Sequence, residues 1–393
     1  MGNNSDIAPR APVHLSEIQE MALARIREME QEIYQNFGLK LRCGMELEWL
    51  LRNQHNAREE PSEVFDPVYY RRNTTPGAIP REGTFDRSNI VEGVTSHVSS
   101  DIHEVQLGRH ANAKSRDINR MSPSVIACAA HALQHQMATW QRHPASNDRI
   151  KLWAHDPHRP NIAASTQVTL SLWGIPAEDS DKKPPVMGNL LTNDHKLLCL
   201  ILDQASTTVQ KALFPLIVES SDSLKRFKNG MDAPKYFGDT RYSWNPELSG
   251  CDSSLRRRSQ DYDATFYLEN RLPGADCDPI LATLMSVGGA YLALKRSCKL
   301  AEPQKAPEEN HIKILTAQQC EATLQVQRFA VPAEDKKLTA IPKELADYKK
   351  YIEGWEHNAI ANEILGTDLH KKLASLRRQQ FSEMAKGAAP SRL

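Results

Sequence analysis

Residues 265–279, TFYLENRLPGADCDP, constrain the fold of this chain more than any other stretch. The first half alternates. Thr265, Tyr267, Glu269 and Arg271 fall on one side of a strand, and Phe266 and Leu268 on the other. Pro273 and Gly274 end that strand, and Asp276 or Asp278 caps a helix that Pro279 opens. Ile280, Leu281, Leu284, Val287 and Leu292 give the helix an apolar face. A carboxylate and a guanidinium therefore sit two residues apart on one strand face. A buried carboxylate needs a partner or a metal, so the pair reads either as a structural salt bridge beside a helix cap or as part of a site.

Two more strand-like stretches carry polar faces. In residues 41–51, Glu46 and Glu48 project to one side and Met45, Leu47 and Trp49 to the other. Two carboxylates on one face repel, and an interior tolerates them where cations sit between them; an edge strand with a wet face is the ordinary alternative. In residues 165–173, Gln167, Thr169 and Ser171 lie opposite Val168, Leu170 and Leu172. The ordinary alternative there is a barrel strand with a polar inner face.

Helical spacing marks residues 15–38, where Ile18, Met21, Ala22, Ile26, Met29, Ile33 and Phe37 recur and Gly38 is the stop. It marks residues 122–140 through Val125, Cys128, Ala129, Leu133 and Met137, with His131 and His135 at the surface or core edge. It also marks 193–217 through Leu197, Leu198, Leu200, Ile201, Val209 and Leu213. Residues 223–234, SLKRFKNGMDAP, read on composition as a solvated basic turn. Residues 53–90 read as a long polar excursion, 301–340 as polar surface segments, and 1–14 as a loose tail.

Across the 393 residues, 49 Lys and Arg balance 49 Asp and Glu, so the net charge favours neither nucleic acid nor an anionic membrane as a partner. The seven cysteines show no CxxC spacing and fit free thiols in a reducing compartment. Neither a signal-peptide core nor a membrane-spanning apolar run is visible, and the expectation is a cytoplasmic protein.

Taken in order, these stretches resemble the glutamine synthetase family and its glutamate–cysteine ligase relatives. Glu269-x-Arg271 and the Pro-Gly-Ala turn resemble the strand that places a metal-binding glutamate and a phosphate-binding arginine. Glu46-x-Glu48 resembles the first catalytic strand, with one glutamate for each of two metal sites. Residues 102–108, IHEVQLG, resemble the strand that supplies a further metal-binding glutamate, here Glu104. Where the family has a second carboxylate upstream, this chain has Ser96 and His97, with Glu92 as an offset candidate.

Residues 165–173 resemble the Gly-Ser-Gly-x-His-x-His-x-Ser strand, with Gln167 and Thr169 in place of both histidines. Glutamine offers a carbonyl oxygen to Mg2+, as in eukaryotic-type glutamate–cysteine ligases. Ser171 falls on the ATP-contacting serine. Residues 223–234 resemble the loop in which Arg226 would bind the substrate carboxylate and Asp232, where the family has glutamate, would act as lid and proton acceptor. Residues 253–256, SSLR, resemble the strand whose arginine, here Arg256, contacts phosphate; the family's second arginine, five residues earlier, is Cys251 in this chain. Residues 341–370 resemble the closing helices.

The resemblance implies an α+β fold, with a curved antiparallel half-barrel sheet and helices on its outer face. It implies an N-terminal tail and helix at 1–40, a catalytic domain at 41–385 and a tail at 386–393. It places no β-grasp domain ahead of the catalytic domain, and so implies a monomer, dimer or other assembly rather than the usual dodecamer. The implied activity is an ATP-dependent carboxylate–amine ligase working through an acyl phosphate, on glutamate or a related amino acid with an amine acceptor. Two or more Mg2+ or Mn2+ ions are implied. One would be held by Glu46, Gln167 and Glu269, the other by Glu48 and Glu104 with His97. Arg256 and Arg271 would stabilise the transferred phosphoryl group. The replacements at Ser96, Gln167, Thr169 and Cys251 keep two alternatives open: a phosphotransferase on the same fold, and a non-catalytic relative that binds nucleotide or amino acid.

Overall fold

The computed structural model describes residues 15–53, 91–96, 102–108, 122–140, 148–156, 162–174, 188–191, 196–229, 234–238, 254–260, 265–300, 324–332 and 340–387. The described chain begins with α1 (Glu17–Phe37), which Ser16 and Gln19 cap reciprocally and Gly38 ends at a φ of 64°. Strands β1 (Lys40–Asn53), β2 (Val91–Ser96) and β3 (Ile102–Leu107) follow, then α2 (Pro123–Trp140). Next come β4 (Asp148–Lys151), β5 (Thr166–Gly174), β6 (Gly188–Asn189) and α3 (Lys196–Ala212). A 3-10 turn (Phe214–Ile217) leads into α4 (Ser221–Asn229), β7 (Leu255–Gln260), β8 (Thr265–Asn270) and α5 (Pro279–Ser297). Strands β9 (Cys298–Leu300) and β10 (Leu324–Val326) form a separate pair before α6 (Leu345–Ile352), α7 (Ala359–Leu365) and α8 (Thr367–Ala385).

Among the described residues the main sheet has eight strands in the order β2-β3-β1-β5-β8-β7, with β4 also on β1 and β6 also on β5. Its pairings are antiparallel. Strand β1 is bonded on both sides, by β3 and β5, so the Glu46–Glu48 stretch is central and not a wet edge. Leu41, Cys43, Met45, Leu47 and Trp49 of β1 join Val168, Leu170 and Leu172 of β5 in one apolar core with the helices. At about 25 cal/mol per Å2, burial of that face is the main force holding the helices on the sheet.

Helix α5 is the centre of the helical layer. The sequence pattern predicts one apolar face, but Pro279 through Leu294 are buried all the way round. The cause is position: α5 packs on α3, α1 and α2 as well as on β5. Its contact with α3 is close. A Cβ on Gly289 would lie 2.5 Å from Ser206 Oγ and 2.9 Å from Ser206 Cα, so the glycine is what lets the two backbones meet.

One expectation changes. Most of the supposed basic turn is helix α4, with Lys225 and Lys228 outside and Arg226 buried. The polar segment 301–340 contains strand β10, which pairs with β9. Residues 54–90 of the excursion lie outside the described residues. No helix among the described residues is long and apolar enough to cross a membrane.

Candidate active site

Directly opposed residues of an antiparallel pair project to the same side. Glu46 of β1 is opposite Gln106 on one side and Gln167 on the other. Glu48 is opposite Glu104. Thr169 of β5 is opposite Glu269 of β8, which is in turn opposite Arg256 of β7. The candidate residues of β1, β5, β7 and β8 therefore share one face, the reverse of the helix-covered one. Glu104 is placed there by its register. His97, Asp232 and Cys251 lie outside the described residues.

This polar face is buried. Glu46 is 2% exposed, Glu48 6% and Glu269 0%, and Gln167, Thr169 and Arg271 are buried with them. Glu48 is held firmly: Oε2 accepts from Ser165 N at 2.6 Å and Ser165 Oγ at 2.7 Å, and Oε1 accepts from Gln167 Nε2 at 2.9 Å. Gln167 Nε2 also reaches Ser165 Oγ at 3.1 Å. A carboxylate only accepts, so this contact fixes which end of the amide faces Glu48. Gln167 Oε1 is left buried without a hydrogen-bond partner. A carbonyl oxygen in that position costs about 1–3 kcal/mol unless something else meets it.

Glu269 is met by Arg256, whose Nε and Nη2 both donate to its carboxylate. Arg271 shares its alternation, and its backbone N–H donates to Ser254 O at 2.9 Å. Arg226 is turned inward: Nη1 donates to Leu272 O and Nη2 to Arg271 O, each at 3.0 Å. Ser171 Oγ accepts from Trp173 Nε1 at 2.7 Å, and the Arg42 guanidinium lies 4.7 Å from the Trp173 ring centroid. Ser165 and Arg42 were not among the expected site residues. Each keeps the alternation of Gln167 or Glu46, which is the signal that could have found them.

The oxygens of Glu46, Glu48, Glu269 and Gln167 are hard donors of the kind Mg2+ and Mn2+ take, and the orphaned Gln167 Oε1 suits a cation. Among the described residues no three His, Cys, Asp or Glu side chains come together in a group able to hold a metal. The fit therefore rests on a mixed glutamine–glutamate set.

Next to this face, the turn after β8 carries two perturbed groups. Burial would raise the Asp278 carboxyl, but His131, Gln19 and the Ile280 N–H together hold it below the usual range. Burial, with Glu219, Asp278 and Asp276 nearby, pushes the Cys277 thiol well up. A thiol kept neutral in this way is packing and not a nucleophile.

Comparison with known proteins finds no matching family model and no similar curated protein. Solved structures do match. GmaS in complex with ADP aligns with a TM-score of 0.53 at 12% identity, over 93% of this chain and 74% of that one. Ligand-free GmaS aligns at 0.51 and 13% identity, over 94% and 73%. The glutamine synthetase of Plasmodium falciparum aligns at 0.51 and 12%, over 93% and 77%. Identities this low carry likeness of fold and not of chemistry.

Proposed function

The chain has a glutamine synthetase-type α+β fold, and on that premise we propose that it is an ATP-dependent carboxylate–amine ligase acting through an acyl phosphate. The observation that supports this best is the single buried face carrying Glu46, Glu48, Gln167 and Glu269 beside Arg256 and Arg271. Like charges buried together need cations among them. Phosphoryl transfer needs cations fixed where negative charge gathers.

In this reading Glu46, Gln167 and Glu269 hold one divalent ion, and Glu48, Glu104 and His97 the other, Mg2+ or Mn2+ in each. Bound there, the ions would neutralise the phosphates of ATP. Ser165 and Gln167 keep the Glu48 carboxylate in one orientation. Arg256 and Arg271 offset charge on the transferred phosphoryl group, and Ser171 contacts the nucleotide. Asp232 takes the proton from the incoming amine; it is one methylene shorter than glutamate, which alters the acceptor pocket. The acid is glutamate or a related amino acid.

One observation favours a second reading, a nucleotide- or amino-acid-binding protein without turnover: Arg256 already neutralises Glu269. ADP release from Mg·ATP, with glutamate and a panel of amines, separates the two when the products are identified by mass spectrometry. An amine-dependent amide is the expected product. ATP binding without turnover would establish the second reading. ADP with a phosphorylated acceptor and no amide would point to a phosphotransferase.

A further inference from the structure

Arg226 is only 2% exposed, although it sits between two surface lysines on α4. A guanidinium is a planar fork. Here its two arms take the consecutive carbonyls of Arg271 and Leu272, where β8 leaves the sheet for the Pro273–Gly274 turn. The start of the same helix grips the other end of that turn. Ser220 Oγ and Ser223 Oγ donate to Asp276 Oδ2 at 2.9 and 2.8 Å. The sheet ties the turn from the opposite side, through Thr166 N to Pro273 O and Ala275 N to Ala164 O, both at 3.0 Å.

We propose that Arg226 is a positioning residue and not a substrate ligand: it fixes the end of β8, and through that backbone the Glu269 and Arg271 side chains. What those side chains do rests on the ligase reading; the clamp itself does not. The peptide plane between residues 271 and 272 sets the direction in which Arg271 leaves the backbone. A shift of about 1 Å at a reacting group is enough to lose roughly 100-fold in rate. With one N–H of each arm on a carbonyl and the side chain 2% exposed, those N–H groups are committed to the backbone and not offered to a substrate carboxylate.

The test uses the full chain with Arg226→Gln, Arg226→Lys and Ser223→Ala, the last removing a donor to Asp276 and the acceptor of the Glu219 and Ser220 N–H groups while leaving the Arg226 fork in place. Hydrogen–deuterium exchange is read in the ligand-free protein over residues 265–278. Arg226→Gln is expected to speed exchange at the Arg271, Leu272 and Ala275 amides by about tenfold or more, with α5 unchanged. Lysine, which keeps the charge but not the fork, restores part of that protection. Ser223→Ala speeds exchange less, near residue 276.

In turnover, Arg226→Gln is expected to lower kcat by about tenfold or more while KM for the acid stays within about twofold. Unchanged exchange with a raised KM for the acid would overturn the proposal and make Arg226 a substrate ligand. Unchanged exchange with unchanged kinetics would overturn it too. If the wild type shows no turnover, the ligase reading fails by itself. The exchange result then still decides the clamp, and Mg·ADP affinity replaces kcat: weaker in Arg226→Gln if Arg226 positions the site, unchanged if it does not.

Discussion

Glu48 and Glu269 are both buried carboxylates, but they are stabilised differently. Glu48 accepts from three neutral groups, the Ser165 N–H and hydroxyl and the Gln167 amide, and Glu269 accepts from a cation, Arg256. Removing the Ser165 hydroxyl leaves the backbone donor in place. Ser165→Ala is therefore expected to cost about 1–3 kcal/mol, as a lower urea midpoint at unchanged m-value. A midpoint equal to wild type would mean that the hydroxyl contributes nothing to holding Glu48. At Glu269, alanine and glutamine variants are both expected to abolish Mg2+-dependent ATP turnover, at least about 100-fold, with cooperative unfolding retained. Turnover near wild type in either would remove Glu269 from the site. That these faces meet on one side of the sheet was implied by the family resemblance alone, whereas the sharing of a face within each strand, by Glu46 and Glu48, by Gln167 and Thr169, and by Glu269 and Arg271, was legible because strand alternation is local. The partner that holds each was not. Ser165 is 117 positions from Glu48 and Arg226 is 45 from Arg271, and no local pattern encodes such pairings.

Helix α5 shows the same division between local and distant at the scale of an element. Its start was legible: Asp278 accepts from Ile280 N at 2.7 Å, and Pro279 needs no donor of its own in the first turn. Its burial on all sides was not, because that depends on three helices that meet it from elsewhere in the chain. The basic stretch at 225–228 misled for a related reason, since a buried arginine and two exposed lysines look alike in composition. The cap makes α5 sensitive to acid. Asp278 Oδ2 also accepts from Gln19 Nε2 at 2.6 Å, and His131 Nδ1 lies 3.6 Å away, close enough for charge attraction without a hydrogen bond. The folded carboxyl therefore titrates below its unfolded value of about 3.9. Its stabilisation is complete above that unfolded value and is lost as pH falls through the folded one. Asparagine caps about as well as aspartate but carries no charge. Asp278→Asn is expected to flatten the fall in stability below about pH 4. Asp278→Ala should lose a further 0.5–2 kcal/mol, roughly, at neutral pH. Denaturant midpoints measured across that range check both, and an Asp278→Asn profile parallel to wild type would place the acid sensitivity elsewhere.

The whole molecule is closed by Arg377. From α8 its Nη2 reaches Leu216 O at 2.6 Å and Glu219 Oε1 at 2.7 Å, and its Nη1 reaches Glu219 Oε2 at 3.0 Å and Gln380 Oε1 at 2.7 Å. It is 0% exposed, and Glu219 holds it in its charged form although burial works against it. Glu219 N donates to Ser223 Oγ at 3.2 Å, and Ser223 Oγ donates to Asp276, so the last helix is linked through this pair to the turn that ends β8. A buried ion pair is not stabilising merely by existing, because desolvating both charges costs about as much as their attraction returns. Breaking one half is different, since it leaves a bare charge inside. Arg377→Met is expected to cost about 3–5 kcal/mol. The double variant Arg377→Met with Glu219→Leu should cost less than Arg377→Met alone, because no carboxylate is then stranded; what remains is the loss at the Leu216 and Val218 carbonyls. Chemical denaturation of the two single variants and the double gives the coupling directly. Additive losses would mean that Glu219 and Arg377 do not act as a pair, and that α8 is held by its apolar contacts through Leu369, Leu373 and Ala374 together with the bonds of Arg377 to the Leu216 and Val218 carbonyls.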